Sequence, residues 1–187
     1  MNLFNLSYLV LWVIVALQSY FIIQLGRNKL YMQNREADHG PTLLKEEHGI
    51  PKGQVFSKQQ FQSVNKGIID LTKIRANGFL IALTSLGCDQ CKPLYPILEN
   101  YHRQNADIQL ILMTVGLEEE VISNIHKFQL TMPVVPITTA DMKAMQTGYF
   151  PFMYYLSPRA EVLTKSLVFD EEQFALLLER GMMAKTA

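Results

Sequence analysis

The two cysteines of the chain, Cys88 and Cys91, are the residues best suited to carry out chemistry. They form one C-x-x-C motif behind a strongly apolar run, and no other cysteine occurs among the 187 residues. A single pair builds no disulfide framework and cannot complete a four-cysteine zinc site. It can open and close as a disulfide, because the second thiol is held where it resolves a mixed disulfide formed by the first.

Alternating strands and helices must position this motif. The run 79–84 before it has the apolar character of a strand buried on both faces, and residues 93–103 after it have helical apolar spacing. The order of the elements indicates an α/β layer fold whose sheet is parallel at first and antiparallel at its end. Similar patterns predict strands at 67–71, 108–115, 134–138, 152–156 and 161–168, and helices at 117–128, 139–146 and 170–181.

Capping chemistry gives the expected ends of two of these helices. Thr139 or Asp141 is expected to cap the helix over 139–146, because short polar side chains satisfy the free N–H groups of a first turn. Gly181 is expected to end the last helix, where a residue without a Cβ is favoured.

Residues 6–25 predict a membrane anchor. The segment contains no charged side chain, and its length suits a bilayer span of about 20 residues. A cleaved signal peptide and a buried core helix are the alternatives, but a signal peptide needs a basic start and a small-x-small cleavage site, which are absent. The predicted organisation is an anchor over residues 1–26, a stalk over 27–53 and a domain over 54–187.

The orientation of this anchor rests on two opposing arguments. Arg27, Lys29 and Arg35 follow the span and nothing basic precedes it, so the positive-inside rule places the domain in the cytoplasm. A tethered disulfide pair, in contrast, is most useful on the oxidising side of a membrane. We let the redox argument decide and expect a single-pass protein of the bacterial cell membrane with an extracytoplasmic domain.

Charge and motif context exclude two other functions. The chain has 17 basic and 17 acidic side chains and no basic stripe with interleaved aromatics, so nucleic acid is not an expected partner. Lys92 replaces the histidine that covalent haem attachment needs after C-x-x-C. We expect no cofactor and no resident metal.

Three local features together resemble the thioredoxin fold. They are the C-x-x-C motif at a strand-to-helix junction, Pro96 five residues after Cys91, and Pro151 before an apolar strand. The stretch FPFMYYLSPRAEVL is similar to the signature of the membrane-anchored TlpA-type subgroup, and the layout is most similar to the methylamine-utilisation accessory type (MauD). The resemblance covers about residues 54–183. It implies a central mixed sheet flanked by helices, preceded by one N-terminal transmembrane helix.

The resemblance also implies an activity and its residues. The protein would be a thiol-disulfide oxidoreductase that exchanges disulfides with a secreted or periplasmic client during its maturation, served by a membrane or soluble electron partner. Cys88, at a helix N-cap, would be the exposed nucleophile and Cys91 the buried resolving thiol. A cis peptide bond before Pro151 would let the backbone of Phe150 pair with a client strand beside Gly87.

Several residues near the motif depart from the family pattern. Ala82 and Leu94 stand where relatives hold an acid, so the residue that deprotonates Cys91 is unassigned. Leu86 and Gly87 precede the motif in place of the usual tryptophan, and Phe150 is bulkier than the usual residue before the proline. The inner residues Asp89 and Gln90, with Lys92, are expected to tune the cysteines. Because Asp89 disfavours a neighbouring thiolate, our hypothesis is that the couple is not a strong oxidant.

Three alternatives stay open at this point. Membrane-anchored copper-delivery proteins share the fold and use two cysteines with a distant histidine. The candidates for that histidine are His102 and His126, each on a predicted helix, whereas His39 and His48 lie in the predicted stalk. A redox-inactive thioredoxin-like domain could bind a membrane or secreted partner. The cysteines could also be an inert pair of small buried residues.

Overall fold

The structure, a computed structural model, describes Leu17, Gln18 and residues 43–186. The predicted anchor over residues 6–25, apart from Leu17 and Gln18, and most of the predicted stalk lie outside the described residues. In the described part of the chain, no helix is both long enough and apolar enough to cross a bilayer. The compact unit begins at Leu43, so residues 43–53, which we assigned to the stalk, belong to it.

A central sheet of five strands organises this unit. Its strand order is β5-β4-β3-β6-β7, with β3, β4 and β5 parallel and β6 antiparallel to both β3 and β7. A separate antiparallel hairpin precedes it, and its first arm was not predicted. The hairpin strands are β1 (Gln60–Ser63) and β2 (Gly67–Asp70), and the sheet strands are β3 (Gly78–Ser85), β4 (Ile108–Val115), β5 (Val134–Ile137), β6 (Phe152–Leu156) and β7 (Val162–Leu167).

Four helices flank the sheet in the described residues: α1 (Leu94–Gln104), α2 (Glu118–Phe128), α3 (Thr139–Ala144) and α4 (Glu171–Thr186). Residues of α1, α2 and α4 pack in the core cluster on one face. The other face is covered by the hairpin, by α3 and by the chain around Ile50 and Phe56. Strand β3 is buried on both faces, as predicted, since Leu80 and Ala82 point into the first cluster and Ile81 and Leu83 into the second.

Two predicted helix boundaries are wrong for identifiable reasons. The N-cap of α3 is Thr138, whose hydroxyl accepts a hydrogen bond from the backbone N–H of Asp141. Helix α4 continues through Gly181 to Thr186 instead of ending at the glycine. A Cβ at Gly181 would lie 2.6 Å from the ring of Tyr155, so this glycine allows the helix to approach the sheet closely.

Candidate active site

The C-x-x-C motif lies at the edge of the sheet where β3 ends. Cys88 has an extended backbone, its N–H donates to Ser85 O at 3.0 Å, and Asp89–Cys91 then form one turn of 3-10 helix. Cys88 is therefore the N-cap of this short turn and not of α1, which begins only at Leu94. Pro93 separates the two helical segments because it has no N–H to continue the hydrogen-bond pattern.

The two cysteines differ in exposure and form a disulfide. Their Cα atoms are 5.4 Å apart, within the usual range for a disulfide. Cys88 is partly exposed, whereas Cys91 is completely buried. A visiting sulfur can therefore reach Cys88 and not Cys91, and the order of attack, with Cys88 first, stays a prediction.

The charged residues of the motif pair with each other. Nζ of Lys92 lies 2.5 Å from Oδ1 of Asp89, and both side chains are exposed. The hydrogen bond from Lys92, followed by its charge, lowers the pKa of Asp89. The carboxylate that was expected to disfavour a Cys88 thiolate is thus accompanied by a compensating ammonium. Gln90 is exposed in the same turn.

The proline loop lies beside the motif. Leu83 of β3 pairs with Phe152 of β6, so the residues just before Phe152 lie next to the end of β3 from which the motif departs. The Phe150–Pro151 peptide bond is cis, as the resemblance implied. Pro151 is buried, and its carbonyl accepts a hydrogen bond from Val168 N at 3.2 Å.

Phe150 provides backbone groups for a further strand. Its side chain is partly buried and packs against the core. Within residues 43–186, neither the backbone N–H nor the backbone C=O of Phe150 makes a hydrogen bond. An extended segment lying along Phe150 could therefore form main-chain hydrogen bonds beside Cys88.

Two exposed apolar side chains lie in loops at the same edge of the sheet as the cysteines, and our sequence reasoning did not single them out. Because β3, β4 and β7 end at the edge where β6 begins, the loops after β4 and before β6 flank the motif. Leu117 is 71% exposed in the first of these loops, and Tyr149 is 39% exposed in the second. The sequence did contain a signal for both residues. Leu117 closely follows the strand predicted at 108–115, and Tyr149 directly precedes Phe150.

A groove of about 490 Å³ runs between the motif and α2. Gly87 is exposed, and a Cβ at this position would meet nothing within 4 Å. Leu86 lies against Gly116, where an added Cβ would overlap its side chain, so the motif loop packs on the loop after β4. The groove is lined by Leu86, Gly87, Lys92, Glu120, Ser123, Asn124 and Lys127.

His48 lies closer to this region than its predicted stalk position indicated. Its ring centroid is 4.6 Å from that of Tyr149, two residues before Pro151. The described residues nevertheless contain no group of three or more His, Cys, Asp and Glu side chains arranged to bind a metal. In this part of the chain, the two cysteines therefore have no third ligand of the kind that copper delivery requires.

Solved structures of thiol-disulfide oxidoreductases have the same architecture. The thioredoxin domain of such an enzyme from Bacteroides vulgatus matches with a TM-score of 0.60 and 14% identity, over 70% of this chain and 97% of that chain. A protein from Chlorobium tepidum assigned as the thiol:disulfide interchange protein DsbE matches with a TM-score of 0.65 and 11% identity, over 73% and 99% of the two chains.

A secreted disulfide oxidoreductase from Mycobacterium tuberculosis matches with a TM-score of 0.53 and 10% identity, over 68% of this chain and 96% of that chain. The chain matches no protein-family profile and no curated protein by sequence. At these low identities the likeness shows the fold alone. The domain has a mixed α/β thioredoxin-like fold.

Proposed function

We propose that this protein is a thiol-disulfide oxidoreductase in which Cys88 attacks and Cys91 resolves. One observation carries the proposal. A partly exposed Cys88, bonded to a buried Cys91, lies at the sheet edge where the backbone of Phe150 is unpaired. The activities named for the solved structures with this fold support the same chemistry.

The exchange takes two displacement steps. The Cys88 thiolate attacks one sulfur of a client disulfide, a mixed disulfide forms, and the other client sulfur leaves as a thiolate. Cys91 then loses its proton to solvent and attacks the Cys88 sulfur, which closes the Cys88–Cys91 disulfide and releases the second client thiolate. The client gains two electrons, and a membrane or soluble thiol donor, itself oxidised, later reduces the Cys88–Cys91 disulfide with two electrons of its own. Client oxidation is the same sequence in reverse.

The proposed client is an extended segment of another protein. The N–H and C=O of Phe150 would pair with its backbone, and the open surface at Gly87 leaves room for the chain. Leu117 and Tyr149 would contact apolar side chains next to the client cysteine, because both rise from the loops that flank Cys88. Such pairing gives affinity through the main chain and selectivity through alternate side chains.

We further propose that residues 6–25 anchor the protein in the bacterial cell membrane, with the domain on the extracytoplasmic side. The uncharged segment supports the anchor. Persistence of disulfides outside the cytoplasm supports the orientation, and so does the fold shared with a secreted oxidoreductase. Arg27, Lys29 and Arg35 oppose it. A role in client maturation, as in the MauD type, belongs to this proposal.

Trapping of mixed disulfides tests the activity. The full chain is purified in detergent as the variants Cys91→Ala and Cys88→Ala, and each is mixed with a disulfide-containing peptide. Cys91→Ala should accumulate a peptide adduct at Cys88, visible by mass spectrometry, because no resolving thiol remains. Cys88→Ala should accumulate little, because Cys91 is buried. Equal and slow labelling of both variants would overturn the proposal.

A fusion tests the location. Alkaline phosphatase, which folds only where its own disulfides form, is joined to the C-terminus of the full chain. The fusion should be active in cells and should stay with the membrane fraction, whereas deletion of residues 6–25 should abolish both properties. In a second fusion, a reporter that is fluorescent only in the cytoplasm replaces the phosphatase. An inactive phosphatase fusion together with a fluorescent reporter fusion would show that the domain faces the cytoplasm.

A further inference from the structure

The proposed reaction requires Cys91 to lose a proton in a place that disfavours charge. Its side chain is completely buried, and burial raises the pKa of a thiol. Ala82 and Leu94, which pack in the cluster on the same face of the sheet, are apolar. Among the described residues, neither of these two positions provides a group that could stabilise the Cys91 thiolate.

Two buried hydroxyls lie on the face of the sheet that α1 covers. Thr84 of β3 and Thr114 of β4 are direct neighbours across the parallel pair, and both are completely buried. Side chains alternate along a strand, and Leu80 and Ala82 of β3 pack under α1. Thr84 continues this row, and Thr114 continues the equivalent row of β4.

The topology brings the two hydroxyls and Cys91 to the same end of the sheet. Leu94, the first residue of α1, packs in the same cluster as Ala82. Thr84 is one step beyond Ala82 toward the motif loop, because β3 runs toward that loop. Cys91 is one turn before Leu94 in the same direction, because the chain then returns over the sheet as α1. The strand and the helix therefore place Thr84, Thr114 and Cys91 at the same end of the sheet, on the face that α1 covers.

Thr114 has an unused hydrogen-bonding group. The hydroxyl of Thr84 donates to Met113 O at 3.4 Å, whereas Oγ1 of Thr114 has no partner among the described residues. A buried hydroxyl without a partner is unfavourable, because it has given up its hydrogen bonds to water. The oxidised protein thus carries, at the end of the sheet where the motif lies, a buried donor that this state does not use.

We infer that Thr114 donates a hydrogen bond to the Cys91 sulfur when the disulfide opens and so stabilises the resolving thiolate. This inference rests on the proposed function, because it concerns the second displacement step. In that step the Cys91 proton goes to solvent, the Cys88–Cys91 bond forms, and the client leaves as a thiolate. The threonine holds the charge that develops on Cys91 and takes no proton.

The ionisable groups around Cys91 do not provide this stabilisation. Asp89 and Lys92 are exposed and paired with each other. Glu99, further along α1, is held by Thr131 and Arg103. The remaining ionisable groups on these elements are Cys88 in the motif, Tyr95, Tyr101 and His102 of α1, Glu118, Glu119, Glu120, His126 and Lys127 of α2, Tyr154 and Tyr155 of β6, and, with Asp170 just before it, Glu171, Glu172, Glu179, Arg180 and Lys185 of α4.

The chain offers a matched control. Thr164 of β7 also has a buried hydroxyl without a partner among the described residues. It pairs with Tyr155, which pairs with Leu80, so it lies two strands and roughly 13 Å along the sheet from the layer of Thr84. Thr164→Val therefore removes the same kind of group far from Cys91.

The test measures the pKa of Cys91 in the reduced full chain, by NMR titration of its Cβ. Thr114→Val should raise this pKa by about one unit and slow closure of a trapped mixed disulfide about tenfold at neutral pH. Thr114→Ser, which restores a hydroxyl, should recover most of both, and Thr164→Val should change neither. Thr114→Ala, which removes the same hydroxyl and should raise the pKa in the same direction, provides a second variant should Thr114→Val fail to fold.

An unchanged Cys91 pKa in Thr114→Val, or an equal change in Thr164→Val, would overturn the inference. The pKa measurement needs no client, so it separates this failure from a failure of the proposed function. A wild-type chain that forms no mixed disulfide would refute the activity, and the titration would still decide whether Thr114 contacts the sulfur.

Discussion

Lys92 places its ammonium 2.5 Å from the carboxylate of Asp89, directly beside the partly exposed Cys88. Both groups of the pair are within one turn of the nucleophile, so each acts on the charge of its sulfur with opposite sign. The sequence reasoning considered the acid as an isolated charge. In the structure, the charge near the Cys88 sulfur is set by Asp89 and Lys92 together.

The first prediction concerns the pKa of Cys88. Lys92→Met should raise it, because the Asp89 carboxylate is left uncompensated. Asp89→Asn should lower it, because the ammonium then acts alone. The measurement is the rate of Cys88 alkylation against pH in the reduced full chain. A double variant should return near the wild-type value, and shifts of the same sign in both single variants would contradict the pairing.

The second prediction concerns Glu99, which joins α1 to the turn before β5. Its carboxylate accepts hydrogen bonds from Thr131 N at 2.8 Å, Thr131 Oγ1 at 2.5 Å and Arg103 Nε at 2.7 Å. Burial alone would raise its pKa, but these hydrogen bonds lower it overall. Glu99→Gln should reduce the free energy of unfolding at pH 7 by about 1–3 kcal/mol.

The pH dependence of this loss has a definite sign. Because the pKa of Glu99 is lower in the folded than in the unfolded state, its stabilisation is present above the unfolded value of about 4.3. It is lost as the pH falls through the folded value. The free energies of unfolding of wild type and Glu99→Gln, measured in urea, should therefore converge as the pH falls below about 4.3. The exposed Glu179→Gln is the control, and a constant difference at all pH values would contradict the assignment.

The local parts of this fold were accessible from the sequence. Apolar runs and helical spacing gave the strands and helices around the motif, because those patterns depend on neighbours a few residues apart. The contact of His48 with Tyr149 and the pairing of Thr84 with Thr114 depend on strand register and on segments distant in the chain. No local pattern encodes these contacts. At Gly181 a local signal predicted the end of a helix, but the helix continues because the glycine is needed where α4 packs closely against Tyr155.

The start of the domain, residues 43–53, also depends on contacts that no local sequence pattern encodes. Residues 43–53 look like a polar stalk, but buried Lys165 holds them by donating to Gly49 O at 2.9 Å and Ile50 O at 2.7 Å. The partners are 116 and 115 residues apart in the chain, so composition alone could not reveal the attachment.

The third prediction concerns this attachment. Burial lowers the pKa of Lys165, whose ammonium satisfies two backbone carbonyls. Lys165→Met should leave these carbonyls without their donor and reduce the free energy of unfolding by about 1–3 kcal/mol. Hydrogen exchange should accelerate at residues 48–56 and at Tyr149, which His48 contacts. Exposed Lys185→Met serves as the control, and unchanged exchange in this segment would contradict the role.

The fourth prediction concerns the close approach of α4 to the sheet. A Cβ at Gly181 would lie 2.6 Å from the ring of buried Tyr155, so Gly181→Ala must displace either the helix or the ring. Overpacking of this kind costs about 1–3 kcal/mol, which exceeds the gain of about 1 kcal/mol that alanine brings to a helix interior. Thermal unfolding of the full chain should therefore show a lower midpoint. Gly148→Ala, where a Cβ meets nothing within 4 Å, should leave the midpoint near that of wild type. A Gly181→Ala midpoint equal to or above the wild-type value would mean that the helix can move away from Tyr155 without loss.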